Sequence, residues 1–429
     1  MAGSSGTMAG RRALLLLLSG FAAVRSEDHW AVLIAGSKGY YNYRHQADVC
    51  HAYHLLVQRG FHPDRIITMM YDDVAKSDMN PFPGKLYNFP WKSEAEAVDV
   101  YAGCKLDYVG KHVTPEKFLA VLSGDEEATG GKVLKSKADD HIFVNFVDHG
   151  GVGIIAFPED EVLHAAALNR TLARMHERRM YKQLIFYLET CESGSMFEGV
   201  LSPNIDAYAL TAANAKESSW GTFCGQDSKV MGKNVRSCLG DLFSVSWMMD
   251  SEASAGAGKP ETLLQQFLNV KNHTAKSHVM RYGSYASFEQ EDVSDFQGPG
   301  GALAEPRVAE RLRAGAAKSA TSVDARDAKL HQLYQDYADF GTDEASEALI
   351  AEIRRRQEVK SLGLRIATLA LGSAGQAGDM LAAPAPEEFV WTYPECHERA
   401  VEAFGSACGW SEQRLTLSKV LFQLCGRSG

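Results

Sequence analysis

A cysteine and a histidine each follow an apolar run, at a place where a reactive side chain can meet a substrate. Cys191 ends the run QLIFYLETC, and His149 lies in VDHGGVG. A free thiol with a pKa of about 8.5 is only about one part in a thousand thiolate at about pH 5.5, so a nucleophilic cysteine needs a basic partner. The glycines after His149 permit close approach of a substrate and leave backbone N–H groups for an oxyanion. The two residues therefore have the chemistry of a thiol nucleophile and its base.

Five short runs rich in β-branched and aromatic residues predict the buried strands that position this pair. Helical patterns separate the runs, and this alternation predicts an α/β fold with a mostly parallel sheet that is covered by helices on both faces. Ligands of such sheets bind beyond the carboxyl ends of the strands, where DHGG and ETCESGS both fall. The strands are predicted at 30–37, 65–71, 141–150, 183–191 and 206–213.

Each residue of the pair also has an ordinary structural interpretation. Cys191 alone is compatible with a packed or disulfide-bonded cysteine, and His149 alone with a hydrogen-bonded loop histidine, in a chain of 14 histidines and eight cysteines. The combination favours catalysis, because each residue ends a separate predicted strand and the fold brings both ends to one edge of the sheet.

The two ends of the chain differ from this central pattern. Arg11 and Arg12 precede an apolar run from Ala13 to Val24, which has the pattern of a cleaved signal peptide and is too short to span a bilayer. A buried helix is the structural alternative. After the breaker-rich segment near Gly298, helical spacing of Ala, Glu, Arg and Leu predicts a helical region. The predicted domains are a signal peptide at 1–26, a catalytic domain at 27–290, a linker at 291–325 and a helical pro-domain at 326–429.

Charge and composition argue against several classes of function. The 44 basic and 54 acidic residues give a formal charge of −10, and no basic stripe with interleaved aromatic residues is present, so a nucleic-acid partner is not expected. No run after the first 30 residues approaches the length of a membrane span. Eight cysteines are too few for a disulfide scaffold, but a secreted chain passes through a compartment where disulfides form.

The segments DHGG and ETCESGS resemble the catalytic pair of the clan of cysteine peptidases that includes the caspases and the legumains. The resemblance to the legumain family of asparaginyl endopeptidases is strong over residues 28–290 and weaker to the C-terminus, where it corresponds to the family's pro-region. It implies a caspase-like fold, with no metal and no cofactor. The segments that carry it are YNYRHQADVCHAY, MMYDD, NPFPGKLYN, TAANAKESSWGTFC and CLGDLFSVSWMMDS.

Carried over by position, the resemblance implies roles for four residues of the catalytic centre. Cys191 is the nucleophile, His149 is the base, and Asn42 orients the imidazole. Gly150 and Cys191 would donate their N–H groups to the oxyanion. A turn residue bonded to its own backbone is the alternative interpretation of Asn42.

A pocket that selects asparagine must offer both donors and acceptors, because the carboxamide has one acceptor and two donors. An internal salt bridge between Arg44 and Asp241 is the structural alternative and is compatible with such a pocket. An ionised aspartate would meet carboxylates here, so we expect cleavage after aspartate only in acid. Six residues match the family's pattern: Arg44 and His45 as donors, Glu189 and Asp241 as acceptors, and Ser218 and Ser219 at the rim.

The sequence therefore predicts a cysteine endopeptidase that cuts after asparagine, forms a thioester at Cys191 and is made as a zymogen. Attack by an amine in place of water would make it a peptide ligase, and a silent peptide-binding homologue is the alternative from another class. The expected partners are peptides and proteins with Asn or Asp before the cut bond, the chain's own pro-domain, and cystatin-like inhibitors. The expected location is the secretory pathway, ending in an acidic vacuole or lysosome or outside the cell.

Activation poses a separate question, because no asparagine follows Asn272. The region from Gly300 has 15 basic and 18 acidic residues, so net charge does not draw it to the acidic remainder. It must be held by packing and by local pairs, such as pairs around Arg354, Arg355 and Arg356. Self-processing would have to use an aspartate: Asp292, Asp295, Asp324, Asp327 or Asp343.

The remaining cysteines and two sequons complete the predictions. The resemblance implies a Cys224–Cys238 disulfide and a Cys396–Cys425 disulfide, and it leaves Cys408 without a partner. Cys50 and Cys104 are predicted to be unpaired thiols. The sequons predict N-glycosylation at Asn169 and Asn272.

Overall fold

The apolar runs of the sequence form the strands of the computed structural model, which describes residues 1–3, 28–254, 260–298, 320–383 and 388–427. All but three residues of the predicted signal peptide, and most of the predicted linker, lie outside the described residues. The strands are β1 (His29–Ala35), β2 (Ile66–Met70), β3 (Tyr108–Val109), β4 (His141–Val147), β5 (Gly150–Gly151), β6 (Ile154–Phe157), β7 (Glu161–His164), β8 (Gln183–Glu189), β9 (Ala207–Thr211), β10 (Trp220–Thr222), β11 (Lys229–Val230), β12 (Lys233–Asn234), β13 (Gly240–Asp241), β14 (Met280–Gly283) and β15 (Val323–Asp324).

The central sheet has seven strands in the order β14-β9-β8-β4-β1-β2-β3. Its strands run parallel except β14, which pairs antiparallel with β9 at one edge. Every residue of β4 is buried, as expected for a strand that is covered on both faces. The predicted mostly parallel sheet is confirmed.

Helices cover both faces of this sheet. One apolar cluster joins the sheet to α1, α5 and α6, and a second joins its other face to α2 and α4. The helices are α1 (Tyr43–Gln58), α2 (Pro115–Ser123), α3 (Glu126–Thr129), α4 (Ala165–Glu177), α5 (Leu242–Ser254), α6 (Leu263–His273), α7 (Tyr285–Phe288), α8 (Ser294–Gln297), α9 (Ala328–Phe340), α10 (Asp343–Leu371), α11 (Ala374–Ala382), α12 (Pro394–Cys408) and α13 (Leu417–Cys425).

The C-terminal region is helical and packs on the sheet β5-β6-β7 beside the central sheet. Ile154 of β6 is buried in one cluster with Leu415, Leu417 and Val420. Before these helices, β15 adds to β10 as an antiparallel strand. The segment α8, predicted in the linker, still contacts β4, and its Phe296 is buried.

Three disulfides link the described residues, and one of them corrects a prediction. Cys224–Cys238 and Cys396–Cys425 form as expected, and Cys408 is free and exposed. The prediction that Cys50 and Cys104 are unpaired thiols is wrong, because these residues form a disulfide across 54 residues of chain. It fastens the loop before β3 to α1, and closing a loop of this length stabilises the fold by about 4 kcal/mol on entropic grounds.

The two sequons have different surroundings. Asn169 is buried in α4, and its Nδ2 donates to the carbonyl oxygens of Ala165 and Met196, both at 2.7 Å. A glycan would replace one of the two Nδ2 hydrogens and so break at least one of these bonds at a buried site, which argues against the prediction for Asn169. Asn272 is exposed in the last turn of α6 and remains a predicted site.

Candidate active site

The ends of two neighbouring strands bring Cys191 and His149 to one edge of the sheet. Val147 of β4 and Glu189 of β8 are partners in the parallel register, and each predicted catalytic residue follows two positions later. A Cβ atom on Gly150 would lie 2.6 Å from the carbonyl oxygen of Cys191, so only glycine allows this approach. Cys191 is a buried free cysteine.

The backbone turns sharply just after the thiol. Glu192 has a φ of 47°, in the left-handed region that non-glycine residues seldom adopt, and its N–H donates to the carbonyl oxygen of Glu217 at 2.7 Å. Such strained residues are held in place by their surroundings and cluster at functional sites. The turn fixes Glu192 beside the thiol.

Asn42 holds the imidazole of His149 in one tautomer. Its Oδ1 lies 2.8 Å from His149 Nε2, and its Nδ2 donates to the carbonyl oxygen of Lys38 at 3.0 Å, which fixes the orientation of the amide. Nε2 therefore carries the hydrogen. The other ring nitrogen, Nδ1, is buried without a hydrogen-bond partner among the described residues, so its lone pair is the basic site.

Burial keeps the pair in its neutral form. It raises the pKa of the Cys191 thiol to about 11, although the Arg326 guanidinium opposes the shift. It lowers the pKa of the His149 imidazole to about 4, although the Glu412 carboxylate opposes that shift. Between these two pKa values the thiol keeps its proton and the imidazole is uncharged. The thiolate needed for attack is therefore scarce in this arrangement.

The four predicted hydrogen-bonding residues of the pocket, two donors and two acceptors, come together near this edge of the sheet. Arg44 is fully buried, and its Nε donates to Asp241 Oδ1 at 2.7 Å, so the predicted internal salt bridge exists. Four buried atoms of this group have no hydrogen-bond partner among the described residues, although the second and the last lie 3.5 Å apart: Arg44 Nη2, His45 Nε2, Glu189 Oε1 and Asp241 Oδ2. Two are donors or potential donors and two are acceptors, which is the complement of a carboxamide.

Neighbouring groups hold the two pocket carboxyl groups in position. Glu189 Oε2 accepts from the N–H of Ser244 at 2.9 Å and from its hydroxyl at 3.1 Å. The N–H of Asp241 donates to Asp48 Oδ2 at 3.0 Å, and Asn88 donates to Asp48 Oδ1 at 2.7 Å. Burial raises the pKa of both Glu189 and Asp241. Sequence reasoning missed Asp48, which is a buried support of the pocket.

Comparison with known proteins assigns the chain to a family. The profile of the Peptidase C13 family matches residues 29–299. The chain belongs to the peptidase C13 family. Legumain from Bos taurus is 39% identical over 431 residues, which cover 96% of this chain and 94% of the bovine protein.

Other relatives of this C13 chain match mainly its catalytic part. Hemoglobinase from Schistosoma mansoni is 49% identical over 64% of this chain and 60% of its own length. A vacuolar-processing enzyme from Ricinus communis is 46% identical over 63% of this chain and 54% of its own length. The chain thus spans less than two thirds of these two relatives. The structure of caspase-1 from Spodoptera frugiperda is 10% identical, and the match covers 60% of this chain and 87% of the caspase chain with a TM-score of 0.35.

The two rim residues of the C13 chain lie beside the thiol and face the segment after β15. Ser219 Oγ is 3.8 Å from Cys191 Sγ, and the carbonyl oxygen of Ser219 accepts from the N–H of Ala325 at 2.9 Å. Ser218 Oγ accepts from Arg326 Nη1 at 2.9 Å. Both serines therefore line the cleft next to the nucleophile.

Two side chains from the C-terminal region enter the catalytic centre, and neither was predicted. Glu412 Oε1 lies 3.3 Å from His149 Nε2, and the Arg326 guanidinium contacts Glu192. The pairs that Arg356 forms lie within the C-terminal region and position Arg326 rather than join the two regions: Arg356 binds Asp327 at 2.5 Å and donates to the carbonyl oxygen of Arg326. The C-terminal region is thus fastened next to the thiol by polar contacts as well as by packing.

One buried group has the composition of a metal site. His45, Asp148 and His149 each bring one possible ligand atom within 4.8 Å of the others. His45 Nδ1 is already 2.6 Å from Ser37 Oγ. A metal here would compete for the basic nitrogen of His149, and we assign none.

Proposed function

We propose that this C13 peptidase is a cysteine endopeptidase that cuts peptide bonds after asparagine. The supporting observation is the set of four unpartnered atoms below Cys191. Arg44 and His45 can donate to the side-chain oxygen of asparagine, and Glu189 and Asp241 can accept from its NH2 group. Buried polar groups that only the correct side chain satisfies give strong selection against analogues that leave them unpaired.

The proposed reaction uses the lone pair of His149 Nδ1. The Cys191 thiol transfers its proton to this nitrogen, and the sulfur attacks the carbonyl carbon of the asparagine residue. The N–H groups of Gly150 and Cys191 stabilise the oxyanion. The protonated imidazole then gives its proton to the leaving amine, and a thioester remains on Cys191. Water, deprotonated by His149, releases the acid and restores the thiol.

We further propose that the C-terminal region is an inhibitory pro-domain. Arg326 and Glu412 contact residues on both sides of the catalytic pair, and the centre is buried beneath them. Attack requires a thiolate, and burial raises the pKa of Cys191. Removal of the pro-domain would admit a peptide and hydrate the cleft, and hydration lowers this pKa, whereas loss of the Arg326 charge raises it.

We propose an acidic compartment as the place of action. The name of the Ricinus communis relative places that enzyme's activity in vacuoles. Within the described part of the chain, no helix is long and apolar enough to cross a membrane. An acidic compartment would also let the enzyme cut after aspartate.

Cleavage of three matched peptides tests the proposed activity. The enzyme is acid-treated until mass spectrometry shows loss of the C-terminal region, and it is then given peptides with Asn, Gln or Ala before the scissile bond. We expect cleavage after Asn at a kcat/KM at least about 100-fold above that for Gln, because an added methylene displaces the carboxamide from its partners. Equal cleavage of the Asn and Gln peptides, or none by the processed enzyme, would contradict the proposal.

We propose that activation cuts the peptide bond after Asp324. Its strand β15 pairs with β10 next to the thiol, with Asp324 opposite Trp220, and its carboxylate contributes to the raised pKa of Cys191. Asp324→Ala is expected to slow self-processing at about pH 4 by about tenfold or more, because the pocket then receives no acid side chain. Asp343→Ala, at the exposed start of α10, is the matched control. Unchanged processing of Asp324→Ala would exclude this bond.

A further inference from the structure

The guanidinium of Arg326 is bound at three points beside the catalytic thiol. Its Nη1 donates to Ser218 Oγ at 2.9 Å, and its Nη2 donates to the carbonyl oxygen of Gly150 at 3.2 Å and to Glu192 Oε2. The Arg326 side chain is 22% exposed and that of Glu192 is 6% exposed. Ser218 is the predicted rim residue of the asparagine pocket, whereas the Glu192 carboxylate and the Gly150 carbonyl are not among the predicted pocket residues.

The Glu192 carboxylate is buried, and its ion-pair partner among the described residues is Arg326 of the C-terminal region, although Lys216 of the catalytic domain lines the same cavity. The cations that lower its pKa against the effect of burial are Arg326 and Lys419, and both belong to the C-terminal region. Burying a carboxylate without a partner is costly. Removal of the pro-domain therefore leaves a carboxylate beside Cys191 that can accept another cation.

The segment that carries Arg326 lies on the catalytic domain as an extended peptide would. Val323 and Asp324 extend the edge of β10, and Ala325 donates to the carbonyl oxygen of Ser219. Adding a strand to an exposed edge is a common way to bind peptides, with side-chain pockets giving the specificity. Arg326 is the second residue after Asp324, so a matching substrate side chain would follow the cut bond.

We propose that Glu192, the Gly150 carbonyl and the Ser218 hydroxyl form a subsite for a basic side chain of the substrate, on the carboxyl side of the cut bond. Arg326 fills this subsite while the pro-domain is in place. The proposal rests on the proposed endopeptidase function and deepens it by naming a preferred class of substrate. It implies selection for asparagine followed closely by arginine or lysine.

Arginine and citrulline differ in charge but hardly in shape, so they isolate the ionic contribution. Quenched peptides carry Asn before the bond and either residue at one of four positions: the residue before Asn, or the first, second or third residue after the bond. With the processed enzyme at about pH 5.5, we expect arginine at the second position to raise kcat/KM about tenfold over citrulline, as charge-assisted hydrogen bonds to a shielded carboxylate do. The other positions should show smaller ratios.

Two variants locate the effect. In Glu192→Gln the arginine-to-citrulline ratio is expected to fall below about twofold, because the amide keeps an acceptor but loses the charge. Glu127→Gln, on an exposed glutamate of α3, should keep the wild-type ratio. A ratio that persists in Glu192→Gln would overturn the assignment to Glu192. If this variant does not fold, the arginine-to-citrulline ratios of the wild type at the four positions still test whether a basic residue is preferred after the cut bond.

The outcomes separate the two proposals. If no asparagine peptide is cut by the processed enzyme, the endopeptidase proposal fails. If asparagine peptides are cut but arginine gives no advantage at the second position after the bond, the subsite proposal alone is overturned.

Discussion

Replacing Cys191 with serine is expected to lower kcat/KM toward an asparagine peptide by at least about 10⁴-fold, because removal of a nucleophile eliminates the covalent route. A serine hydroxyl is far less acidic than a thiol, and His149 in this structure is a weak base with a pKa lowered to about 4. An imidazole that is positioned for a thiol therefore activates a hydroxyl far less effectively. Because this variant lacks the nucleophile for self-processing, a trace of wild-type enzyme removes its C-terminal region and is then separated from it, and steady-state kinetics of the processed variant give the measurement.

The chain supplies its own control for this variant. Cys408 is the other free cysteine of the described residues, and it is exposed at the end of α12. Processing removes Cys408, so Cys408→Ser should keep the rate of self-processing and the unfolding midpoint of the unprocessed chain, both of which Cys191→Ser can be compared with. Cys191→Ser should also keep the midpoint, because the two side chains are nearly equal in volume. Residual activity within about tenfold of the wild type would show that Cys191 is not the nucleophile.

Five of the seven strands of the central sheet were predictable because they are mostly apolar, whereas the edge strands β3 and β14 were not predicted. Runs such as 141–147 and 183–189 are buried on both faces, and the helices between them require parallel neighbours. The Cys50–Cys104 disulfide was not predictable in this way. Its cysteines are 54 residues apart, and only the loop that packs on α1 brings them together. No local pattern encodes such a contact.

The catalytic pair and the pocket were recognisable from residues at strand ends and from the family's motifs. The residue that supports the pocket from below was harder to predict from the sequence. Asp48 follows Arg44 by one helical turn, so its position on the same face of α1 was available as a signal. The contacts of Glu412 and Arg326 had no comparable signal in the sequence, because the packing of a helical region on a distant hairpin follows from tertiary structure.

Cleavage after aspartate, relative to asparagine, is expected to fall about tenfold for each pH unit above about pH 4, or about 10³-fold between pH 4 and pH 7. The unpartnered oxygens of Glu189 and Asp241 need a hydrogen from the substrate. The asparagine NH2 group supplies it at any pH, whereas an aspartate carboxylate does so only when one more proton is bound. The ratio of kcat/KM for the two peptides removes the titration of Cys191 and His149, which is common to both.

The group that binds this extra proton determines the pH at which the aspartate-to-asparagine ratio of kcat/KM begins to fall. If the substrate carries it, the ratio falls from the pKa of an ordinary aspartate, about 3.9. Burial raises the pKa of Glu189 and Asp241, so a proton held on either of them would persist to higher pH and shift the fall upward by the same amount. Glu189→Gln removes one carboxylate and should raise the aspartate-to-asparagine ratio at pH 7, while Glu127→Gln should not. A ratio independent of pH in the wild type would show that the pocket does not distinguish the two side chains by their protons.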